Sequence, residues 1–178
     1  MTALIEELLD LTRLETIGNL SLNRDQTDLV QVAKGVLRAY ENSAPDHELA
    51  LDTRLESLTG RWDEARLERA ISNLVGNAVK YSPEGRRVMV GISRESVAGE
   101  DRAVVSVSDQ GIGIAPDDLE RIFDRFQRGS NVPDSLAGSG VGLAYVREIV
   151  LQHGGTISVH SRPGEGSTFT IRLPLEAR

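Results

Sequence analysis

The segment from Asp63 to Val107 restricts the fold more than any other part of the chain. Read at about 100° per residue, Leu67, Ile71, Leu74 and Ala78 fall in one narrow sector. Asp63 therefore caps a long helix that runs to about Tyr81 and carries a single apolar stripe. The turn residues Pro83-Glu84-Gly85 end it. Two strands follow, because Val88, Val90 and Ile92 point one way and Ala103, Val105 and Val107 repeat the pattern. A one-striped helix and two one-faced strands escape water only by packing on each other. The predicted class is α+β, a two-layer α/β sandwich with a mixed sheet and its helices on one face.

The remaining elements fit that frame. A helix is predicted from about Asp28 to Ser43, with Asp28 and Gln31 resembling a capping box. After Pro45, Leu49, Leu51 and Leu55 alternate as a strand. Pro116 opens a short helix ending near Phe123. Gln127 to Ser139 is polar, holds Gly129, Pro133 and Gly138, and reads as a mobile loop. A helix from about Val141 to Gln152 stops at Gly154. Pro163-Gly164-Glu165-Gly166 turns a last hairpin, in which Ile157 and Val159 face Phe169, Ile171 and Leu173.

From Met1 to about Ile17, Leu4, Leu8, Leu11 and Leu14 form a helical stripe widened by Ile5 and Leu9. A lone helix of this length needs a partner in water. It either packs on its own domain or forms one arm of a helical hairpin or dimer. The break at Gly18-Asn19 favours the arm. The expected division is a leader over residues 1–20 and one domain over residues 21–178.

Composition removes several functions. With no cysteine, disulfides and thiolate metal sites are excluded. A net charge of −7 argues against a nucleic-acid surface. No run of eighteen apolar residues is present, so no membrane span is expected, and the start has no signal-peptide pattern. Lys34 and Lys80 are the only lysines among 20 basic residues, which draws attention to where each falls.

On the long helix, Asn73, Asn77 and Lys80 lie together beside the apolar stripe. Asparagine is a mediocre helix former, so this flank is either merely solvated or a ligand face. Amide oxygen suits Mg²⁺ and the ammonium suits phosphate. The second strand delivers Asp109 to the inward side, where a lone carboxylate is costly. Asp109-Gln110-Gly111-Ile112-Gly113 is either a plain Asp-Gly turn or a floor for a flat ligand, with Asp109 accepting from an exocyclic amine. Gly138-Ser139-Gly140-Val141-Gly142-Leu143 leads into a helix, whose first amides attract phosphate. It lacks the Lys-Ser/Thr of a Walker loop and the preceding strand of a dinucleotide fingerprint. Gly164-Glu165-Gly166-Ser167-Thr168-Phe169 alone is a hairpin turn.

Taken in order, these motifs resemble the catalytic and ATP-binding domain of sensor histidine kinases. That domain belongs to the superfamily shared with gyrase, heat-shock chaperone ATPases and mismatch-repair ATPases, with its Bergerat-type fold. Asn73-Leu74-Val75-Gly76-Asn77-Ala78-Val79-Lys80-Tyr81 resembles the asparagine box, Asp109 to Gly113 the first glycine box, and Phe123-Asp124-Arg125-Phe126 the phenylalanine box. The likeness covers about Asp28 to Leu175. Leu4 to Glu15 resembles the end of a second dimerisation helix. Val141 stands where leucine is commoner, and Ser167 where threonine is.

The resemblance implies that Asn77 holds Mg²⁺ with Asn73 beside it, and that Lys80 and Tyr81 contact phosphate or ribose. Asp109 would bind the adenine amine, and Gly111, Gly113 and Ile114 would shape the base pocket. Gly138, Ser139, Gly140, Val141, Gly142 and Leu143 would cradle the phosphates, with Phe126 and Thr168 completing the nucleotide site. Arg125 and Arg128 could reach the phosphoryl group; Asn73, Lys80 and Arg128 are the expected catalytic set.

Hydrolysing relatives carry glutamate at the position of Asn73, and an amide cannot act as a general base. Water is therefore not the expected acceptor. His47-Glu48-Leu49 begins like a phosphoacceptor box but continues with Ala50-Leu51-Asp52 and precedes a strand, so it is rejected. His153 reads as a partly positive C-terminal helix residue, and His160 as an outward strand residue.

The expected function is transfer of the ATP γ-phosphoryl group to a histidine on a dimerisation domain that this chain does not contain. The expected cofactors are ATP and Mg²⁺. Expected partners are that dimerisation domain and a response-regulator receiver domain, within a homodimeric, cytoplasmic parent that could be anchored in the inner membrane. Alternatives are a non-catalytic ATP-sensing module, a serine-directed anti-sigma-factor-type kinase, and a chaperone- or topoisomerase-type ATPase that Asn73 disfavours.

Overall fold

A computed structural model describes residues 22–82, 86–97, 99–127, 129–132, 136 and 140–175. The predicted leader helix and the turn at 83–85 lie outside the described residues. The elements in chain order are β1 (Asp25–Asp28), α1 (Leu29–Glu41), β2 (Glu48–Asp52), β3 (Thr59–Trp62) and α2 (Glu64–Tyr81). They continue with β4 (Arg87–Val97), β5 (Glu100–Ser108), a 3₁₀ turn (Pro116–Asp118), α3 (Gly142–Gln152), β6 (Thr156–Arg162) and β7 (Gly166–Pro174).

Five strands form one mixed sheet in the order β2-β4-β5-β7-β6. β2 runs parallel to β4, and every other pair is antiparallel. Val88, Val90, Ile92, Ala103, Val105 and Val107 are buried, as the alternation requires, and Phe169, Ile171 and Leu173 continue that face on β7. All three helices pack there, α1 against β2, α2 against β4 and β5, and α3 against β6 and β7. The two-layer α+β sandwich is as the patterning predicts.

Local chemistry explains the boundaries of the helices. Asp28 caps α1 by accepting from the Val30 N–H at 3.0 Å, and the same oxygen takes the Leu58 N–H at 3.0 Å. It thus ties α1 to the chain that enters β3. Burial pushes the Asp28 carboxyl up, but the Leu58 and Val30 donors outweigh it and hold the group below the usual range. Asp63 caps α2 through the Arg66 N–H at 3.1 Å. Gly154, at φ +74°, ends α3.

Two local expectations need correction, and one small sheet is additional. Leu55 lies beyond β2, which is only five residues long. Pro116 opens a single 3₁₀ turn rather than a helix to Phe123, since turns occupy the residues that follow. The two-stranded sheet of β1 and β3 was not foreseen, because each strand has only four residues and each carries a single fully buried side chain, Thr27 and Trp62.

Candidate nucleotide site

One wall of the site is the flank of α2. Leu67, Ala70, Ile71, Leu74, Val75 and Ala78 are buried, which fixes the helix rotation and leaves Asn73, Asn77, Lys80 and Tyr81 at its partly exposed edge. All four line a cavity of about 340 Å³. The Lys80 ammonium rests 4.8 Å from the centre of the Tyr81 ring, a cation–π placement that holds the charge at the rim.

A second wall, joined to the end of α2, is built by the turn after β5. Asp109 lines the cavity, and its Oδ1 accepts the Gly111 N–H at 2.7 Å. Burial pushes the carboxyl above its usual range, and the backbone of Gly111 and Ser167 pulls it only partly back. A carboxylate so placed gains from any donor a ligand brings. The Ile112 N–H bonds the Tyr81 carbonyl at 3.1 Å, and the Gly164 N–H bonds the Ile112 carbonyl at 2.8 Å. These bonds join the end of α2, the glycine turn and the β6–β7 hairpin into one seam. Gly113 needs to be glycine here, because its φ is +67° and a β-carbon would strike the Arg162 carbonyl.

The third side is the start of α3. Gly140, Gly142 and Leu143 line the cavity. The N-cap residue Val141 gives no side-chain acceptor to the first turn. The helix start and its dipole thus face a space bordered by Asn73 and Asn77. Above, Ser130 donates its N–H and hydroxyl to Asp118 Oδ2 at 2.6 and 2.7 Å, and Asn131 Nδ2 donates to the Gly113 carbonyl at 3.0 Å. These bonds tie the described start of the polar loop to the 3₁₀ turn and to Gly113.

The structure gathers Asn73, Asn77, Lys80, Tyr81, Asp109, Gly113, Ile114, Gly140, Gly142 and Leu143 around one cavity. Gly111 contributes through its bond to Asp109. Phe126 does not line the cavity. It is 68% exposed at φ +62°, and only its N–H turns inward, to the Gly140 carbonyl at 2.9 Å. Thr168 is also displaced. Its hydroxyl pairs with Ser108 at 2.9 Å, and the neighbouring Ser167 takes the lining position because alternate strand residues face opposite ways. Val141 is buried in the protein rather than facing the cavity. Arg128, Gly138 and Ser139 lie outside the described residues.

His153 also needs correction, because it is not partly positive. Its imidazole is buried, with Nε2 accepting the Asp63 N–H at 3.0 Å and Nδ1 donating to the Ile149 carbonyl at 2.7 Å. Burial pushes its pKa down despite the Ile149 carbonyl.

Sequence reasoning missed Ile122, Phe169 and Asn131 as lining residues. The strand alternation that buries Phe169 also turns it toward the cavity, so that signal was present. Asn131 sits in a polar loop where no pattern marks one residue from the next.

Residues 62–177 match the family of histidine kinase-, DNA gyrase B- and HSP90-like ATPases. Sensor-like histidine kinase SenX3 of Mycobacterium tuberculosis is 38% identical over 173 residues, covering 96% of this chain and 41% of its own length. This chain thus spans about two-fifths of that relative. The solved mycobacterial sensor histidine kinase MprB superposes with a TM-score of 0.73 at 31% identity, covering 87% of this chain and 99% of the MprB chain. Full-length ShkA, solved in complex with AMPPNP, gives a TM-score of 0.78 at 28% identity over 98% of this chain and 36% of its own.

The chain belongs to the histidine kinase-, DNA gyrase B- and HSP90-like ATPase family. Within it, the chain is a catalytic, ATP-binding domain of the sensor histidine kinase type. Among the described residues, no helix is long and apolar enough to cross a membrane.

Proposed function

We propose that this domain holds Mg·ATP and passes its γ-phosphoryl group to a histidine on the dimerisation domain of its parent kinase. One observation carries the reading: two asparagine amides, a lysine, a helix start and a half-buried carboxylate line one cavity. A nucleotide has matching groups, an amine-bearing base and phosphates. Asp109 would accept from the adenine amine. Lys80 and the first amides of α3 would hold the phosphates.

The donor set suits a metal that arrives with its nucleotide. Among the described residues no group of three His, Cys, Asp or Glu could hold an ion by itself. Asn77, with Asn73 beside it, supplies neutral oxygen donors, and the phosphates supply the rest. Bound there, Mg²⁺ would neutralise charge on the transferring phosphoryl group. The chain's own contribution is positioning and charge, because Asn73 cannot take a proton from water. An imidazole nitrogen of the acceptor attacks the γ-phosphorus, the bond to the β-phosphate oxygen breaks, and ADP departs.

In this reading the parent is a homodimer, the phosphohistidine serves a response-regulator receiver domain, and the domain works in the cytoplasm, whether or not the parent is anchored in a membrane. No nucleic acid takes part. The experiment is incubation with γ-labelled ATP, with and without a supplied dimerisation domain. Acid-labile label on the dimerisation domain, and none on this chain, is the expected result. Label retained on this chain overturns the assignment of the acceptor. Nucleotide binding with no transfer to a docked acceptor would turn the reading towards an ATP-sensing module.

A further inference from the structure

The helices α2 and α3 run antiparallel, and three contacts mark their shared length. At one end Gly142 abuts Asn73, where a β-carbon on Gly142 would strike Asn73 Oδ1. Midway, the Arg69 guanidinium lies 5.0 Å from the Tyr145 ring centre. At the other end the Asp63 N–H bonds His153 Nε2 at 3.0 Å. The 11 residues of α3 span about 16 Å, so His153 stands that far from the nucleotide cavity.

The His153 end is also where the chain enters the domain. The Asn23 N–H donates to Asp63 Oδ2 at 2.9 Å, and Arg24 Nη2 donates to the Gln152 carbonyl at 2.7 Å. One entering segment thus grips the first residue before α2 and the last residue of α3. His153 sits between the two grips and bonds across them. Its tautomer follows from the partners: a backbone N–H only donates, so Nε2 must accept, and the proton resides on Nδ1 facing the Ile149 carbonyl. The charged groups around it are Asp63 just before α2, Arg66 on α2 and Arg24 on the entering segment, with Glu148 accepting from the Gln152 amide at 3.2 Å. The nucleotide mechanism uses none of these residues.

We propose that His153 is a positioning residue for the nucleotide site. Its imidazole fixes the spacing of α2 and α3 at their far end, and thereby how Gly142 seats against Asn73 where both line the nucleotide cavity. Through it, the position of Asn23–Arg24 is transmitted to that contact. Packed helices shift as bodies rather than deform, and displacements near one ångström at a reacting site cost up to about a hundredfold in rate. The inference rests on the ATP-site reading above.

The test measures AMPPNP affinity by calorimetry on this chain, below the unfolding midpoint of every variant. In H153Q the side-chain amide reaches the Nε2 position and can still accept from Asp63. In H153N it reaches only the Nδ1 position, and the bridge to α2 is lost. The expected pattern is near-normal affinity for H153Q and about tenfold weaker binding for H153N. R24A, at the partly exposed entry, should also weaken binding, and the R24A/H153N pair should be less than additive. Wild-type affinity should fall as acidification protonates the imidazole, since Nε2–H would then face the Asp63 N–H; H153Q should lack that added loss. Full affinity in folded H153N overturns the proposal, as does unchanged affinity in R24A should H153N fail to fold. If wild type binds no AMPPNP, the ATP-site reading has failed instead.

Discussion

Gly142, the first residue of α3, is packed so closely against Asn73 of α2 that a β-carbon there would collide with the Asn73 side-chain oxygen. The contact joins the start of α3 to the amide flank of α2, and both residues line the cavity. Gly142→Ala should therefore displace the Asn73 amide. We expect about a tenfold loss of ATP affinity by calorimetry, with thermal stability little changed, since alanine suits a helix start. Loss of stability with unchanged affinity would mean that this contact does not shape the nucleotide site.

Asp109 is costly to ionise where it lies, because burial dominates its environment. Asp109→Asn should weaken adenine-nucleotide binding by about 1–3 kcal/mol through one lost charged hydrogen bond. The nucleotide-free protein should not lose comparable stability, because the substitution removes a desolvated charge. Calorimetry with denaturant unfolding of the same samples separates the two effects.

If Asn77 holds the metal, its substitution should weaken the dependence on it. Chelating Mg²⁺ should lower wild-type ATP affinity clearly, and that of Asn77→Ala by a smaller factor. Titrations with and without chelator provide the comparison, and equal losses in the two proteins would remove Asn77 from the metal site.

Asp28 joins two amides, Val30 and Leu58, that are 28 residues apart. Asp28→Ala should cost about 1–2 kcal/mol in urea unfolding, the ordinary value of a helix cap. The folded-state pKa is depressed, so the stabilisation is present above the ordinary aspartate range and fades as pH falls through it. The variant and wild type should therefore converge in acid.

His153 adds a second acid sensitivity, at higher pH. Its folded pKa is also depressed, so the unfolded chain takes up a proton that the native imidazole refuses. Stability should fall as pH drops through the ordinary histidine range and the unfolded imidazole charges while the folded one stays neutral. H153Q should flatten that part of the profile in unfolding measured across the range.

Much of this architecture was readable in the chain because one physical cause acts at a time in the relevant segments. Leu67 to Ala78 and Val88 to Val107 are periodic because one side of each faces the core, and both elements appear where the pattern sets them. Asp109 and Gly113 could be read because buried charge and left-handed backbone each demand an explanation. Thr27 and Trp62 were harder, since four-residue strands hold too few alternations to reveal a period. Phe126 misled because an aromatic residue in a motif was expected to face the ligand, whereas its backbone carries the inward bond. His153 misled because helix position alone suggests a cation. The Asp63 N–H that keeps it neutral comes from 90 residues away.

The order of strands in the main sheet has a consequence for synthesis. β7 is inserted between β5 and β6, and the Asp109 N–H bonds the carbonyl of Ser167 within β7. A nascent chain on the ribosome can form α1, α2 and the β4–β5 hairpin while the cavity still lacks a wall. Nucleotide binding is therefore expected only after β7 has emerged and taken its place between β5 and β6. Ligand capture by a nascent chain would report completion of the domain rather than its beginning, and a truncation before β7 would leave the earlier motifs intact yet unable to hold ATP.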